Sequence, residues 1–454
     1  MTPRQDFTVF EYGHLVSDND SGRIAHAVAL PAHLFTWLEQ RCLKDDADNT
    51  HRLLTLRSRG GVKTLQVQNY AGVIALPGNA FIEVLPKTGK QEQKIETARQ
   101  QLLMMLRTLK SFRHIATSSS SVMTSNMPLM DVFIQQFIDS VQLIVRQGLK
   151  RDYLRRQDNL PWMKGKLSVS DQLTKNSVRR DRFHVEFDEY SAERPENRIL
   201  KTAIDKTYRQ TRHPQLLRQL RLLQTHFDDI PPVGDVQVAF DQVHLDRHMH
   251  HYEHALSWAR LILLGQSPHC MQGSANAISL LFPMEAVFES FVTAWMRHTY
   301  QATWHVEAQV STHTLVRKNG EGLFKLRPDI CLRRREVAQA KTMICDIKWK
   351  MADSGKASLA QSQNDLYQML AYGLNYQEGS GDMLLIYPSH DGFHQPLPHP
   401  YEFNHHRENV LRLWVVPFVI GDSLQRSGLR LPEGTSFTDL TIERAAAGTM
   451  GDKP

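Results

Sequence analysis

The sequence has few cysteines and no long apolar run. Its four cysteines, Cys42, Cys270, Cys331 and Cys345, are too few and too scattered for a disulfide scaffold, and no two of them form a Cys-x-x-Cys pair. No stretch approaches the roughly eighteen consecutive apolar residues that a membrane-spanning helix requires. The N-terminal residues mix charged with apolar side chains and lack the apolar core of a secretory signal. We therefore expect a reduced, cytoplasmic compartment and no membrane partner.

Two motifs that would identify other enzyme classes are also missing. No GxxxxGK[ST] phosphate-binding loop occurs, because the segment 354–358 (SGKAS) has the wrong order after its lysine. The chain is therefore expected to lack a nucleotide-driven motor and to depend on a partner for such motion. The zinc-binding helix motif HExxH is absent as well.

What is present is the composition of a folded protein with more than one domain. The 454 residues are 41% hydrophobic and 22% charged, which excludes wholesale disorder. A chain of this length exceeds what one compact core usually holds. The hydrophobic periodicity predicts an α+β multidomain protein in three parts. These are a small β-rich domain (1–90), a mainly helical, basic domain (91–274) and an α/β domain (275–454) with a poorly ordered tail.

Positive charge is concentrated in the central domain. Lys and Arg number 54 against 48 Asp and Glu, which gives a net charge of +6 with neutral histidines. Residues 146–182 alone contain eleven basic residues and four Asp, a local charge of +7. Such a block suits a polyanion such as DNA, although a solvated Arg-rich helix face fits equally well. The candidate DNA-binding residues are Arg151, Arg155, Arg156, Lys164, Lys166, Arg179 and Arg180, the first three on a predicted helix that is interrupted at 159–162.

Two segments of the C-terminal domain alternate as β-strands do. In FKLRPDICL (324–332) the polar face carries Asp329, and in MICDIKWK (343–350) it carries Asp346 and Lys348. Since side chains alternate with a period of two, Asp346 and Lys348 project to the same side. The short connection between the segments favours a hairpin, which would bring Asp329 beside Asp346.

These three side chains form a minimal site for phosphodiester hydrolysis. Two adjacent carboxylates repel one another unless a cation lies between them, and two hard oxygen ligands in a half-open site suit Mg²⁺. A lysine beside them can orient or help to deprotonate the attacking water and offset charge in the transition state. A surface hairpin with an ordinary Asp–Lys cross-strand pair has the same pattern, so the motif alone leaves both interpretations open.

Two flanking helices carry further candidates. In PMEAVFESFVTAWM, Glu289 follows Glu285 by one turn and could reach the same metal, although a solvent-facing acidic pair fits as well. In SQNDLYQMLAYG, Gln368 and Tyr372 lie four residues apart on one helical face. They could hold a DNA backbone or a substrate phosphate near the metal. The apolar run MLLIYP that follows is typical of the next buried strand.

The order of these motifs resembles a known nuclease superfamily. A helical Glu, then PD, then DxK, then QxxxY looks like the PD-(D/E)xK superfamily, and the QxxxY addition resembles its RecB-like branch. Over most of its length the chain is similar to the McrC family, the nuclease subunit of McrBC-type modification-dependent restriction systems. The stretches that carry the similarity are IEVLPK (82–87), WMKGKL (162–167), ENRILK (196–201), MEAVFESFV, RPDI, DIKWK and DLYQMLAYG.

The resemblance implies a function for the N-terminal and C-terminal parts of the chain. The C-terminal domain would cut double-stranded DNA that carries a modified cytosine. Asp329 and Asp346 would hold Mg²⁺, or Mn²⁺ as a substitute, with Glu289 as a further ligand. Lys348 would act on the nucleophilic water, and the QxxxY pair, Gln368 and Tyr372, would support the site. The N-terminal domain would dock into the pore of a hexameric AAA+ GTPase, McrB, and stimulate its GTP hydrolysis.

Two functions of other kinds are alternatives. The chain could be an interaction protein with an inert nuclease-like domain that only activates a ring NTPase. The intact Asp-Asp-Lys set argues against this, because adjacent carboxylates without a cation are unfavourable. The chain could also be a RecB-like nuclease that acts alone at DNA ends, which predicts cutting without any partner.

The central domain also contains a histidine cluster. His244, His248 and His251 lie on one face of a predicted helix, a spacing that could bind zinc, and a solvated or phosphate-facing helix is the alternative. Trp162, between the two basic clusters, could stack on nucleic acid or serve as a core residue.

Overall fold

The structure is a computed structural model of the chain. It describes residues 4–44, 53–78, 80–89, 95–109, 127–264, 280–335, 342–352, 363–403 and 410–432. Most of the connection between the two motif strands, the SGKAS segment, Cys270 and the C-terminal tail lie outside the described residues. Within the described ranges, no helix has the length and apolar character needed to cross a membrane.

The described residues form strands throughout the chain. The strands are β1 Gln5–Phe10, β2 His14–Ser17, β3 Val28–Leu30, β4 Leu54–Arg59, β5 Val62–Val67, β6 Tyr70–Leu76, β7 Ala80–Leu85, β8 Asp152–Leu160, β9 Lys166–Leu167, β10 Phe183–Ser191, β11 Leu280–Pro283, β12 Trp304–Ala308, β13 His313–Lys318, β14 Glu321–Leu326, β15 Ile330–Arg334, β16 Met343–Ile347, β17 Gly381–Pro388, β18 Tyr401–Glu402, β19 Leu411–Val419 and β20 Gly428–Leu429.

Helices are interspersed with these strands. The α-helices are α1 Ala32–Lys44, α2 Ile95–Leu106, α3 Leu129–Gln147, α4 Val169–Lys175, α5 Pro195–Gln210, α6 Pro214–His226, α7 Val236–Asp241, α8 His250–Leu264, α9 Met284–Tyr300 and α10 Gln363–Tyr376, and short 3-10 turns occur at Asp18–Asp20 and Lys87–Gly89. The mixture of helices and several sheets confirms the α+β multidomain prediction.

The strands assemble into sheets of different kinds. One sheet has the order β12-β15-β16-β17-β19-β18, with β20 also paired to β19, and another has the order β8-β10-β9. Two four-stranded sheets have the orders β1-β7-β6-β11 and β3-β2-β5-β4, and β13 and β14 pair only with each other in the described part of the chain.

The chain divides into two compact units that are each assembled from distant segments. Unit 1 contains Met1–Asp6, Val73–Ile82 and Met127–Leu280, and unit 2 contains Phe7–Gly72, Glu83–Asn126 and Leu281–Pro454. Most of the N-terminal part therefore shares a unit with the C-terminal segment. The three functional parts inferred from the sequence remain a prediction.

In unit 2, the seven-stranded sheet supplies the framework for the motif residues. β15 and β16 are antiparallel, which confirms the predicted hairpin, whereas β16, β17 and β19 run parallel. α10 lies between β16 and β17 in the chain and provides the crossover that a parallel pair requires. β17 contains the run MLLIYP and is buried along most of its length, as an interior strand of a parallel sheet should be.

The prediction that FKLRPDICL forms one strand is wrong. β14 ends at Leu326, β15 begins at Ile330, and the two strands lie in different sheets. Pro328 explains the break, because proline has no N–H for a ladder and fixes its own φ. Phe324, at the start of the segment, is 73% exposed.

Unit 1 has a helical core. α5 packs against α6 and α8, and α3 packs against α6 and α8. Ile199, Leu200, Ala203 and Ile204 recur at helical spacing on α5 and are fully buried. Burial of such a stripe stabilises the unit by about 25 cal/mol for each Å² of apolar surface removed from water.

The prediction that the first basic cluster lies on a helix is wrong. Arg151 precedes β8, and Arg155 and Arg156 lie on it, in antiparallel pairing with β10 along nine residue pairs. Arg and Gln favour helices by local propensity, but cross-strand pairing overrides such a weak preference. The side chains of this segment therefore alternate between two faces of a sheet.

Two of the family-like stretches have structural explanations in unit 1. Asn197 of ENRILK is fully buried, and its amide donates to the carbonyls of Lys150 and Ala192 at 2.9 and 2.8 Å, before β8 and after β10. Gly165 of WMKGKL has φ +72°, and a Cβ there would lie 2.5 Å from the carbonyl oxygen of Glu186. Asn197 therefore holds the backbone just before β8 and just after β10, and Gly165 allows the segment before β9 to approach β10 closely.

Candidate active site

Asp329 and Asp346 lie next to each other on neighbouring strands of unit 2. The ladder pairs Ile330 with Cys345, so Asp329 and Asp346 form the next pair in register. Asp329 comes directly before β15 and Asp346 lies near the end of β16. Both carboxylates therefore lie at the same ends of β15 and β16, along one edge of the sheet.

Asp346 is the most buried group of the site. Its side chain is 1% exposed, and its Oδ1 has no hydrogen-bond partner among the residues that the structure describes. The ammonium of Lys348 lies 2.8 Å from Oδ2 as an ion partner, so Asp346 and Lys348 project to the same side, as predicted. A buried carboxylate with unused lone pairs is costly unless a cation lies beside it.

Asp329 connects the sheet edge to a neighbouring helix. Its Oδ2 accepts from the backbone N–H of Ile347 at 2.8 Å, and its Oδ1 accepts from Nε2 of Gln309 at 3.2 Å. The same Gln309 amide also donates to Glu289 on α9. Glu289 therefore belongs to this group, whereas Glu285, one turn earlier, is exposed.

The electrostatics of the site oppose negative charge. Burial, followed by the charges of Asp346 and Glu289, raises the pKa of Asp329 to about 8. Burial also raises the pKa of Asp346, although Lys348 acts in the opposite direction, and it raises the pKa of Glu289. Burial lowers the pKa of Lys348, but Asp346 and further carboxylates outweigh it, and the net shift is upward. The site therefore favours a cation.

A chain of hydrogen bonds joins Lys348 to α10. Lys348 donates to Oε1 of Gln368 at 3.1 Å, and Nε2 of Gln368 donates to the hydroxyl of Tyr372 at 2.7 Å. Tyr372 donates in turn to the carbonyl of Arg327 at 2.9 Å. The predicted QxxxY pair thus shares one helical face and orients the lysine. The series of hydrogen bonds ends at Arg327, two residues before Asp329.

Trp349, which follows Lys348, is held from the other side of the strand. Its indole N–H lies 3.0 Å from both carboxylate oxygens of Glu11, and its carbonyl accepts from the ammonium of Lys87 at 2.6 Å. Its ring packs 5.1 Å from that of Phe288, the neighbour of Glu289. We call Glu11, Lys87 and Trp349 the Trp349 clamp. Lys87 is the last residue of IEVLPK, a stretch to which the sequence assigned no role.

The donor set of this site fits a hard divalent cation. It offers carboxylate oxygens and no sulfur or imidazole, and one of those oxygens, Oδ1 of Asp346, has no hydrogen-bond donor in the described part of the chain. Among the described residues, however, no three His, Cys, Asp or Glu side chains already stand as a metal-ligand group. Gln309 instead lies between Glu289 and Asp329, and Lys348 lies against Asp346.

Sequence reasoning missed two polar residues here. Gln309 has a left-handed backbone (φ 54°) after β12, and an isolated Gln carries no motif that would have identified it. Asp365, at the start of α10, accepts from Lys350 at 2.6 Å. The lysine at the end of DIKWK could have suggested such a pairing.

The predicted DNA-binding residues lie in unit 1. Arg155 forms an ion pair with Glu186, Arg156 with Glu189 and Glu193, and the ammonium of Lys164 lies 3.9 Å above the ring of Phe187. The remaining four, Arg151, Lys166, Arg179 and Arg180, are exposed. Their role in DNA binding remains a prediction.

The helical histidine face is not present. α8 begins at His250, so His244 and His248 precede the helix and only His251 lies on it. The Asp-Arg-His segment before α8 forms a turn in which the N–H of His248 bonds Asp246, and this local bond competes with helix formation. Trp162 is 60% exposed, which excludes the core interpretation.

Comparison with known proteins gives one family and two solved structures. A family model described as McrBC 5-methylcytosine restriction system component matches residues 65–388. A chain of the refined half-complex from the tetradecameric assembly of Thermococcus gammatolerans McrB AAA+ hexamers with bound McrC is 17% identical, with a TM-score of 0.65 and coverage of 98% of this chain and 100% of that one. A chain of the cryo-EM structure of the Thermococcus gammatolerans McrBC complex is 22% identical, with a TM-score of 0.48 and coverage of 65% and 88%. No curated protein matches. At 17% identity, the first likeness shows the fold alone.

Proposed function

The chain belongs to the family of McrBC 5-methylcytosine restriction system components, and from this we propose that unit 2 carries a Mg²⁺-dependent DNA endonuclease site of the PD-(D/E)xK type. The observation that supports the proposal is the buried Asp346, which lies in the register position beside Asp329, with its Oδ2 against the ammonium of Lys348 and its Oδ1 without a partner among the described residues. A structural ion pair would not require a second carboxylate in the adjacent register position.

Asp329, Asp346 and Glu289 would hold the Mg²⁺, or Mn²⁺ in its place. When bound, the ion supplies Lewis acidity toward the scissile phosphate and the attacking water. The chain itself contributes three carboxylates that lie near one another in a partly buried position. Gln309 restrains two of them, Glu289 and Asp329, by donating to both.

Lys348 would act on the attacking water and, through its ammonium charge, on the scissile phosphate. Its raised pKa keeps it protonated at neutral pH, so that its charge can offset the charge that develops on the phosphate. Gln368 accepts a hydrogen bond from it and so sets its direction.

The substrate and partner follow from the family. We propose double-stranded DNA with a modified cytosine as the substrate, and a hexameric McrB-like AAA+ GTPase as the partner that recognises the modification and is stimulated by the N-terminal part of this chain. The absence of a phosphate-binding loop in the sequence supports a division in which the partner hydrolyses GTP.

The test is cleavage of methylated and unmethylated DNA by the purified chain with its partner, GTP and Mg²⁺. We expect cutting of methylated DNA only when all components are present, and no cutting by Asp346→Asn, which still stimulates GTP hydrolysis. GTPase stimulation without any cleavage would identify a silent activator instead. Cleavage without partner and GTP would identify a nuclease that acts alone.

A further inference from the structure

The hairpin formed by β13 and β14 is exposed on both faces. Residues 315–325 are all exposed, and in the described part of the chain the two strands pair only with each other. Four apolar side chains lie on it: Leu315 (50% exposed), Val316 (46%), Leu323 (39%) and Phe324 (73%). A two-stranded hairpin with no buried face is marginally stable in water, and clustered exposed apolar side chains typically mark a binding surface.

The hairpin is nevertheless a defined element rather than an irregular loop. Its strands pair from His313 with Leu326 to Lys318 with Glu321. Asn319 and Gly320 form the turn with φ of 52° and 84°, the positive values that a two-residue hairpin turn of type I′ requires. This Asn-Gly pair is a strong local hairpin signal.

Tyr376 on α10 fixes the base of the hairpin. Its hydroxyl lies 3.1 Å from the carbonyl oxygen of Val310 and 3.0 Å from that of Leu326, so it connects the two legs. Its ring lies 4.3 Å from that of His313. The same helix carries Gln368 and Tyr372, so the base is held by the helix that orients the catalytic lysine.

The two legs also end in the candidate active site. The first leg is preceded by Gln309, whose N–H donates to the carbonyl of Asp329 at 3.0 Å. The second leg is followed by Arg327, whose carbonyl accepts from Tyr372. The base of the hairpin is therefore tied to the segment that carries Asp329.

The charge of the hairpin complements a polyanion. Between Val310 and Pro328 the sequence contains four basic residues, Arg317, Lys318, Lys325 and Arg327, against one acidic residue, Glu321. The four are exposed. A two-stranded ribbon of this kind fits the major groove of B-form DNA, where apolar side chains can contact bases and basic ones the phosphates.

We propose that the β13–β14 hairpin is a DNA-binding arm that grips the duplex beside the bond to be cut. The inference rests on the proposed nuclease function, because it takes the polyanion at this site to be DNA. The arm's basic side chains bind the phosphates and its apolar side chains enter the groove, which positions the scissile phosphate at Asp329 and Asp346.

The test is duplex binding by the full-length chain with Arg317, Lys318 and Lys325 all replaced by Gln. Binding of a fluorescent DNA duplex is measured by anisotropy over a range of salt concentrations, in an Asp346→Asn background that prevents cutting. We expect an affinity loss of roughly tenfold to a hundredfold, and a salt slope that is shallower by about 0.9 for each phosphate contact removed.

The matched control removes three exposed charges elsewhere, with Arg212, Arg218 and Arg221 at and near α6 replaced by Gln. Its affinity should match the parent protein. Equal affinity and slope for the hairpin variant and the parent would overturn the proposal. So would intact DNA binding with lost capture of the AAA+ partner, which would make the hairpin a protein-docking element.

Phe324→Ser, with all charges retained, tests the apolar contact separately and should weaken binding without changing the salt slope. Failure of the nuclease function is distinguishable, because cleavage by the unmodified protein is measured independently of binding. If the unmodified protein never cuts but the hairpin variant loses duplex affinity, the arm stands and the nuclease assignment falls.

Discussion

Two regions of the molecule treat charge in opposite ways. At the edge of the seven-stranded sheet in unit 2, Asp346 is 1% exposed, and its Oδ1 has no hydrogen-bond partner among the described residues. On the three-stranded sheet of unit 1, Arg155 is 73% exposed and pairs with Glu186 across the strands. The first arrangement buries a carboxylate beside a second carboxylate, which is costly in solvation free energy, whereas the second is exposed to water and nearly neutral in energy.

The difference indicates which charged residues should matter most for function. Burial shifts the pKa of a charged group, and the buried charge must be paired with another group. Removing the charged group therefore changes the chemistry of its site. An exposed ion pair is screened by water and salt, and its removal changes little. The contrast therefore predicts effects that decrease from the carboxylate edge toward the surface of the three-stranded sheet.

The largest effect is expected for Asp346→Asn. This nearly isosteric change removes a proposed Mg²⁺ ligand and the ion partner of Lys348, so cleavage of methylated DNA should fall by about a thousandfold or more. The matched control is Asp188→Asn on β10, where the carboxylate is 62% exposed. Similar losses for both variants would break the contrast between the regions.

A second effect concerns pH in the metal-free protein. The pKa of Asp329 is raised from its ordinary 3.8 to about 8, so between these values the folded protein binds a proton that the unfolded chain has released. Its contribution to the unfolding free energy is therefore present at low pH and is lost as the pH rises toward 8. Thermal unfolding with a chelator should show this decline, and Asp329→Asn should flatten it. Added Mg²⁺ should stabilise the unmodified protein most at the higher pH. A decline of equal slope in the variant would contradict the assignment.

A third effect tests the Trp349 clamp. Trp349→Phe keeps most of the apolar contact with Phe288 but leaves Glu11 without the indole donor, so the unfolding free energy should fall by about 1–3 kcal/mol. Chemical denaturation measures this change. Trp162→Phe is the control, because Trp162 is 60% exposed, and it should leave stability nearly unchanged.

A smaller effect is expected for Tyr372→Phe. The variant loses the acceptor for Gln368 and the donor to the carbonyl of Arg327, so Lys348 is held less firmly. Cleavage should fall by roughly tenfold at unchanged DNA affinity, which corresponds to about one hydrogen bond. Tyr367→Phe on the same helix is the control, since Tyr367 is 60% exposed. A loss of affinity rather than of turnover would assign Tyr372 to substrate binding.

The same contrast explains what the sequence could predict. The proximity of Asp346 to Lys348 follows from the two-residue period of a strand. The proximity of Gln368 to Tyr372 follows from the turn of a helix, and both periods are local properties of the sequence. The junction of Glu289, Gln309 and Asp329 depends on tertiary packing, which no local pattern contains.

On the three-stranded sheet the local rules misled. Residues 152–160 have no apolar alternation, and their strand state depends on pairing with β10, which lies more than twenty residues later. Likewise, Pro328 divided a run that alternation alone had joined, because ladder hydrogen bonds rather than side-chain pattern decide where a strand ends.

The smallest effect is expected for Arg155→Gln. The ion pair with Glu186 is exposed, so its removal should change the unfolding free energy by less than about 0.5 kcal/mol. If Arg155 nevertheless contacts DNA, duplex affinity should fall several-fold, with a salt slope shallower by about one phosphate contact. Arg209→Gln on α5 is the control for the loss of one exposed charge. A large loss of stability would mean that the pair is structural, and the distinction between a buried carboxylate site and a surface whose ion pairs contribute little would no longer hold.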